Sequence, residues 1–181
     1  MAMSPRLRKF ALAVHLTGSV GWIGAVFAYL GLSLAARRSE DAGTVRAAWI
    51  GMELVGWYVI VPLAIVSLVT GLVMALGTKW GLFQHYWVLF SFVLTTVSVV
   101  VLLLHMPDVS ALAEAARTVP GVELDKDGRH LLSRLSRGDL LHPSLGLIVL
   151  LAIQVMNLYK PRGLTRYGWR KQQDRRTEQA S

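Results

Sequence analysis

No cysteine occurs among the 181 residues of the chain. Disulfides, thiolate metal sites and cysteine nucleophiles are therefore excluded. No phosphate-binding glycine loop, zinc-ligand spacing or Ser-His-Asp order is present either, so nothing supports a hydrolase. Charge is scarce: 17% of residues are Asp, Glu, Lys or Arg, against about 25% in an average soluble domain. The scarcity is concentrated. Phe10 to Ala36, Trp80 to Pro107 and Leu140 to Tyr159 contain no charged residue, and Ala47 to Thr78 contains only Glu53.

What fills these stretches is apolar. Hydrophobic residues make up 54% of the chain, and the mean hydropathy is +0.47. Each stretch reaches the roughly 20 residues that span about 30 Å of hydrocarbon as an α-helix. Backbone groups in lipid must bond internally, so the spans are helices. The first stretch follows Arg6, Arg8 and Lys9 as a signal peptide would. Its apolar part is longer than the roughly 7–15 residues of a signal sequence, so it is expected to be retained. The expected fold class is all-α: a single membrane domain, an integral four-helix bundle. Its helices are expected at about 10–36, 48–77, 81–106 and 140–160, with an outer loop over 107–139 and a basic tail over 161–181.

The net charge of +8 is distributed by side. With the N-terminus inside, the inner flanks carry Arg6, Arg8, Lys9, Lys79, Lys160, Arg162, Arg166, Arg170, Lys171, Arg175 and Arg176, against only Asp174 and Glu178. The outer side carries eight basic residues balanced by eight acids, Glu40 to Asp139. Lys and Arg favour the cytoplasmic side, so both termini are expected inside. The basic balance thus points to a membrane surface rather than nucleic acid, with the tail on anionic headgroups or disordered. Trp49, Trp57 and Tyr58, and at the other side Trp80, Tyr86, Trp87 and Tyr159, are placed as headgroup-level aromatics. Within the outer loop, Val109–Val119 reads as helical, Pro120-Gly121 and Asp127-Gly128 as turns, and Arg129–Leu135 as a second short helix.

Histidine is the informative residue. His15, His85, His105 and His142 lie in or at the ends of apolar segments, where ionisable side chains are costly and point to function. His15 is about 9 Å in from Lys9 and His85 about 6 Å in from Gly81 at 1.5 Å per residue, matching depths on the inner side. His105 closes the third helix and His142 opens the fourth, both on the outer side. His85 and His105 are 20 residues apart, about 30 Å along the axis and about 200° around it. One can therefore face the first helix and the other the fourth. Two level pairs fit two bis-histidine haems b, His15/His85 inner and His105/His142 outer, since histidine is an axial ligand of haem iron. Gly18 and Ser19 beside His15, and Gly146 one turn after His142, would let a flat ring approach; Trp22 would cover its edge. Gly18, Gly21 and Gly24 read equally as a close-packing helix face. His130, among loop charges, reads as solvated.

Other polar residues in the spans have two readings each. Glu53 reads as a proton relay, a hydrogen-bond partner behind His105 or His142 or part of a quinol site, or else as a carboxylate that snorkels or pairs with Arg46. Gln154 and Asn157 read as interhelical hydrogen-bonding groups. Pro62 reads as a kink that opens space, or as a tolerated membrane proline.

The stretch His15-Leu-Thr-Gly-Ser-Val-Gly-Trp-Ile-Gly resembles the opening helix of small bacterial membrane proteins related to the copper-resistance D family. The stretch Gly77-Thr-Lys-Trp-Gly-Leu-Phe-Gln-His-Tyr-Trp resembles the inner turn of actinobacterial members of that group. The two-layer histidine arrangement is similar to that of ascorbate-reducible transmembrane cytochromes b, which carry one haem near each face. These resemblances imply a multi-pass protein of the bacterial cytoplasmic (inner) membrane with His15, His85, His105 and His142 as ligands. Three functions stay open. The first is di-haem electron transfer across the membrane, with a quinone or a redox partner protein as exchange partner, alone or as a subunit of a membrane oxidoreductase. The second is copper handling, with His105, Met106, Met52 and His142 gathering at the outer face and Met74 and Met156 towards the inner half. The third is a cofactor-free subunit of a larger complex or homo-oligomer.

Overall fold

The computed structural model describes residues 3–77, 81–118, 139–161 and 163–180. Among these residues the chain is almost entirely helical. Four helices are long and apolar enough to cross a membrane: α1 (Pro5–Arg38), α2 (Ala42–Gly77), α3 (Tyr86–Thr118) and α4 (Leu141–Tyr159). A fifth, α5 (Arg166–Ala180), is short and polar. The turns expected at 120–121 and 127–128, the short helix at 129–135, His130, Lys79, Trp80 and Arg162 lie outside the described residues.

Local chemistry sets the helix ends. Pro5 occupies the first turn of α1, where its missing N–H costs nothing, and Ser4 caps the helix by accepting from the Leu7 N–H. Asp41 caps α2, accepting from both the backbone N–H and the hydroxyl of Thr44 at 2.7 Å. These bonds hold its carboxyl below the ordinary range. The turn before α3 opens at Gly81, whose φ of 62° favours glycine. Lys160, at φ 44°, ends α4 in the left-handed conformation immediately before Pro161.

Two prolines are absorbed differently from a simple kink or stop. Pro62 lacks an N–H, so the preceding turn cannot close in the α pattern. The helix instead opens into a π-turn over Gly56–Ile60, where the Val61 N–H bonds to the Gly56 carbonyl. Pro107 does not end the third helix, which continues to Thr118. The extension survives because it has a face to bury: Val109, Ala113 and Ala116 are buried, as are Val45, Ala48, Trp49 and Met52 on the first half of α2, against which α3 packs. The Trp57 indole donates to Ser110 Oγ at 2.9 Å, and Arg117 forms an ion pair with Glu53 at 2.5 Å. Glu53 is thus paired with Arg117 rather than Arg46. Trp49, expected at headgroup level, is a core residue at 2% exposure.

The helices close into a bundle, with α1 packed on α2, α2 on α3, α3 on α4 and α4 back on α1. The main core runs from Trp22, Val26 and Tyr29 through Met52, Ile60 and Ala64 to Val99, Met106 and Leu150. Gly18 lets α1 approach α2: a Cβ there would lie 3.1 Å from Ser67 Oγ and 3.2 Å from Val66. The Asn157 carboxamide accepts from Ser91 Oγ at 3.0 Å and ties α4 to α3. The outward sides carry Leu104, Leu145, Ile148, Leu158 and similar residues, as lipid contact requires.

Candidate metal centre at the outer end of the bundle

Three elements converge at the end of the bundle that the charge bias assigns to the outer side. The last turns of α3 before Pro107 present His105. The first turn of α4 presents His142. Asp139 sits three residues before His142, just outside α4. His105 Nε2 meets Asp139 Oδ2 at 2.5 Å, and His142 Nδ1 lies 3.6 Å from Asp139 Oδ1. The two imidazoles stack, with ring centroids 4.1 Å apart and planes inclined by 22°. Among the described residues this is the one cluster of three potential ligands, and its ligand atoms all lie within 4.8 Å of one another.

Asp139 is the hub of the cluster, and α1 holds it. Tyr29 Oη donates to Asp139 Oδ2 at 2.9 Å, and Ser33 Oγ donates to the Asp139 carbonyl at 2.6 Å. Tyr29 and Ser33 are one helical turn apart and buried. Burial pushes the Asp139 carboxyl up. The hydrogen bond and charge of His105, the Tyr29 hydroxyl and the charge of His142 outweigh it, so the carboxyl is held below its ordinary value. Asp139 is therefore ionised at neutral pH and supplies the negative charge that a cation site needs.

A cavity of about 80 Å³ lies against this cluster, enough for several waters at roughly 10–15 Å³ each. Trp22, Tyr29, Ile60, Met106 and Gly146 contribute to its walls. A Cβ at Gly146 would meet nothing within 4 Å, whereas Met106 packs its Sδ and Cε onto Gly56 in the π-turn. The π-turn thus bears directly on the cavity through Ile60 and Met106.

The inner histidines have other partners. His15 lies against α2, with its Nδ1 3.0 Å from Thr70 Oγ1. The Thr70 hydroxyl also lies 2.6 Å from the Val66 carbonyl, to which it donates within its own helix. Ser19 Oγ donates to the His15 carbonyl at 2.7 Å, and a Cβ at Gly71 would sit 3.2 Å from the His15 ring. His85 lies in the turn before α3, where it forms an isolated bridge with Leu164, and its ring is tilted against Trp87 at 6.4 Å. Trp22, expected beside the inner group, lies in the outer cavity. Gly18 serves helix approach.

An axial pair for haem must place its two nitrogens on opposite sides of the iron, with the macrocycle between the imidazoles. His105 and His142 instead stack face to face and share one carboxylate. As arranged, the three side chains could hold a small cation.

A family model for DUF2269, described as predicted integral membrane proteins, matches residues 10–161. The chain belongs to this DUF2269 family. The match reaches into all four spans of this DUF2269 protein and agrees with the four apolar helices of a multi-pass membrane protein. It carries no counterpart to the copper-resistance D or cytochrome b resemblances. No curated protein and no solved structure matches the chain.

Asp139, Tyr29 and Ser33 were not singled out in the sequence. A signal existed: Asp139 stands three residues before His142, and Trp22, Val26, Tyr29 and Ser33 form one stripe along α1, apolar at one end and hydroxylated at the other.

Proposed function

We propose that this membrane protein binds a first-row transition-metal ion through His105, Asp139 and His142, and that copper handling at the outer face of a bacterial cytoplasmic membrane is its role. The observation that carries the reading is the three-residue cluster with all ligand atoms within 4.8 Å. Ligands on one ion lie roughly 3 Å apart when metal–ligand bonds are about 2 Å, so a modest tightening completes the set. Imidazole and carboxylate together suit copper, iron, nickel or zinc, and affinity at such sites peaks at Cu(II). Met106, whose kind of thioether Cu(I) prefers, lines the same cavity with its Sδ packed on Gly56, and would have to turn to reach an ion. Tyr29 orients the carboxylate as outer partners of metal ligands do.

Haem-based electron transfer is the competing reading, and one observation favours it. Thr70 holds His15 through Nδ1, which leaves Nε2 as the nitrogen that would face an iron. That reading requires His15 and His85 to meet across an iron and His105 to leave Asp139.

The test is metal analysis with an optical spectrum of protein purified after growth with ample haem and copper. The expected result is about one copper per chain, lost in His105→Ala, His142→Ala and Asp139→Ala and retained in His15→Ala and His85→Ala. A dithionite-sensitive b-type band that disappears in His15→Ala would replace the copper reading with the haem reading. Protein with neither metal nor haem, and no copper uptake on titration, would overturn both.

A further inference from the structure

The C-terminal helix is not a loose tail. Thr165 Oγ1 donates to the Phe83 carbonyl at 2.5 Å, and the Thr165 N–H donates to the Gln84 carbonyl at 3.0 Å. The Tyr86 N–H bonds back to the Gly163 carbonyl at 3.3 Å, and His85 bridges Leu164. Gly168 lies directly against the Gln84 backbone, where a Cβ would not fit. The base of α5 is thereby fixed to the turn that feeds the third span, beside Tyr86, the first residue of that span.

This docking creates a cleft. Arg166, Arg170 and Gln173 are spaced i, i+4, i+7, so they form one stripe of α5. They line a cleft of about 400 Å³ together with Thr165, Trp169 and Tyr86. Among the described residues, neither guanidinium has a carboxylate within ion-pair distance. Two arginines without acidic partners, a hydroxyl and a carboxamide make a donor-rich set that suits a phosphoryl oxyanion. The aromatic members belong at headgroup depth. The exposed flank beside the cleft is apolar, with Phe83 59% and Phe90 56% exposed, and so offers acyl chains a path that a free anion would not use.

We propose that this cleft is a binding site for the phosphate headgroup of an anionic phospholipid of the inner leaflet, with Arg166 and Arg170 as its phosphate ligands. It lies at the end of the bundle opposite the His105–Asp139–His142 cluster and does not depend on the metal reading. The lipid would brace the α5–turn junction.

The experiment is a titration of phosphatidylglycerol into the detergent-solubilised full chain, followed by native mass spectrometry, with phosphatidylcholine and inorganic phosphate as separate arms. Phosphatidylglycerol is expected to bind as a defined adduct, phosphatidylcholine far more weakly. The Arg166→Ala/Arg170→Ala double variant should bind phosphatidylglycerol on the order of a hundred-fold more weakly, at roughly ten-fold per arginine, the loss of a charge-assisted hydrogen bond. Arg176→Ala, which does not line the cleft, should change binding by about five-fold or less, the effect of one general surface charge. Circular dichroism of the double variant should match the parent, so that lost binding is not lost folding. Equal weakening by Arg176→Ala would make the effect general surface electrostatics and overturn the site. Inorganic phosphate binding as tightly as the lipid, or phosphatidylcholine doing so, would overturn it as an anionic-phospholipid site.

Discussion

Tyr29, in the last third of α1, donates its hydroxyl to Asp139, 110 residues later, at 2.9 Å. With the Ser33 bond to the Asp139 carbonyl, it joins the first helix to the two histidines carried by the third and fourth. It selects an orientation of the carboxylate in which Oδ2 faces His105 and Oδ1 faces His142. Tyr29→Phe removes the bond and keeps the ring that fills the core. Copper affinity should fall about ten- to a hundred-fold, the usual cost of losing an outer partner of a metal ligand. Competition against a chelator of known affinity measures it. An unchanged affinity would detach Tyr29 from the site.

Asp139 also sets an acid limit. Its folded-state pKa is depressed, so its contribution to stability is complete above the unfolded carboxylate value of about 4 and is lost as pH falls through the lower folded value. The groups facing it are His105, His142 and Tyr29. Thermal melts in detergent between about pH 6 and pH 3 should show a falling Tm below about pH 4. In Asp139→Asn the melt should start lower and fall less over the same range. An identical acid slope in both proteins would remove Asp139 from the account.

At the crossing of α1 and α2, Ser67 Oγ is buried with no hydrogen-bond partner among the described residues and faces Gly18. Gly18→Ala brings a methyl to 3.1 Å from that oxygen and 3.2 Å from Val66. It should destabilise the bundle by about 1–3 kcal/mol through overpacking. Ser67→Ala alone should be neutral or mildly stabilising, because it deletes an unsatisfied polar atom. The double variant should recover part of the Gly18→Ala loss, read as a coupling in a double-mutant cycle of thermal melts. Strict additivity would mean that the two residues do not meet.

Gly168 is the point where α5 rests on the turn backbone. Gly168→Ala should free the helix while leaving the four spans intact, because the Gln84 main chain cannot move aside as a side-chain tip can. Limited trypsin digestion should then cut within α5, at Arg166, Arg170 or Lys171, well before the bundle is touched. Unchanged protection would show that the contact does not hold the helix.

The histidines stood out in the sequence because an ionisable residue in an apolar stretch is visible without any partner. Pairing them by depth brought His105 and His142 to one place, since depth is a linear coordinate at 1.5 Å per residue. For His15 and His85 the direction in which each ring turns matters as well as depth. His15 turns to Thr70, and His85 is held in a turn against the chain after α4. Glu53 found Arg117 for a related reason: Pro107 was read as the end of the third helix, and the continuation that carries Arg117 is stabilised by packing on α2.

The sequence by itself determined the membrane and the four spans. Both follow from local composition, apolar length against bilayer thickness. Only the tertiary structure decided that Asp139 and Tyr29 complete the histidine pair, that Trp22 lines the outer cavity, and that α5 is docked. Those outcomes depend on the rotation of each helix about its axis and on contacts across more than a hundred residues, as between Tyr29 and Asp139. Hydropathy reports how deep a residue lies, and only packing fixes which neighbour it faces.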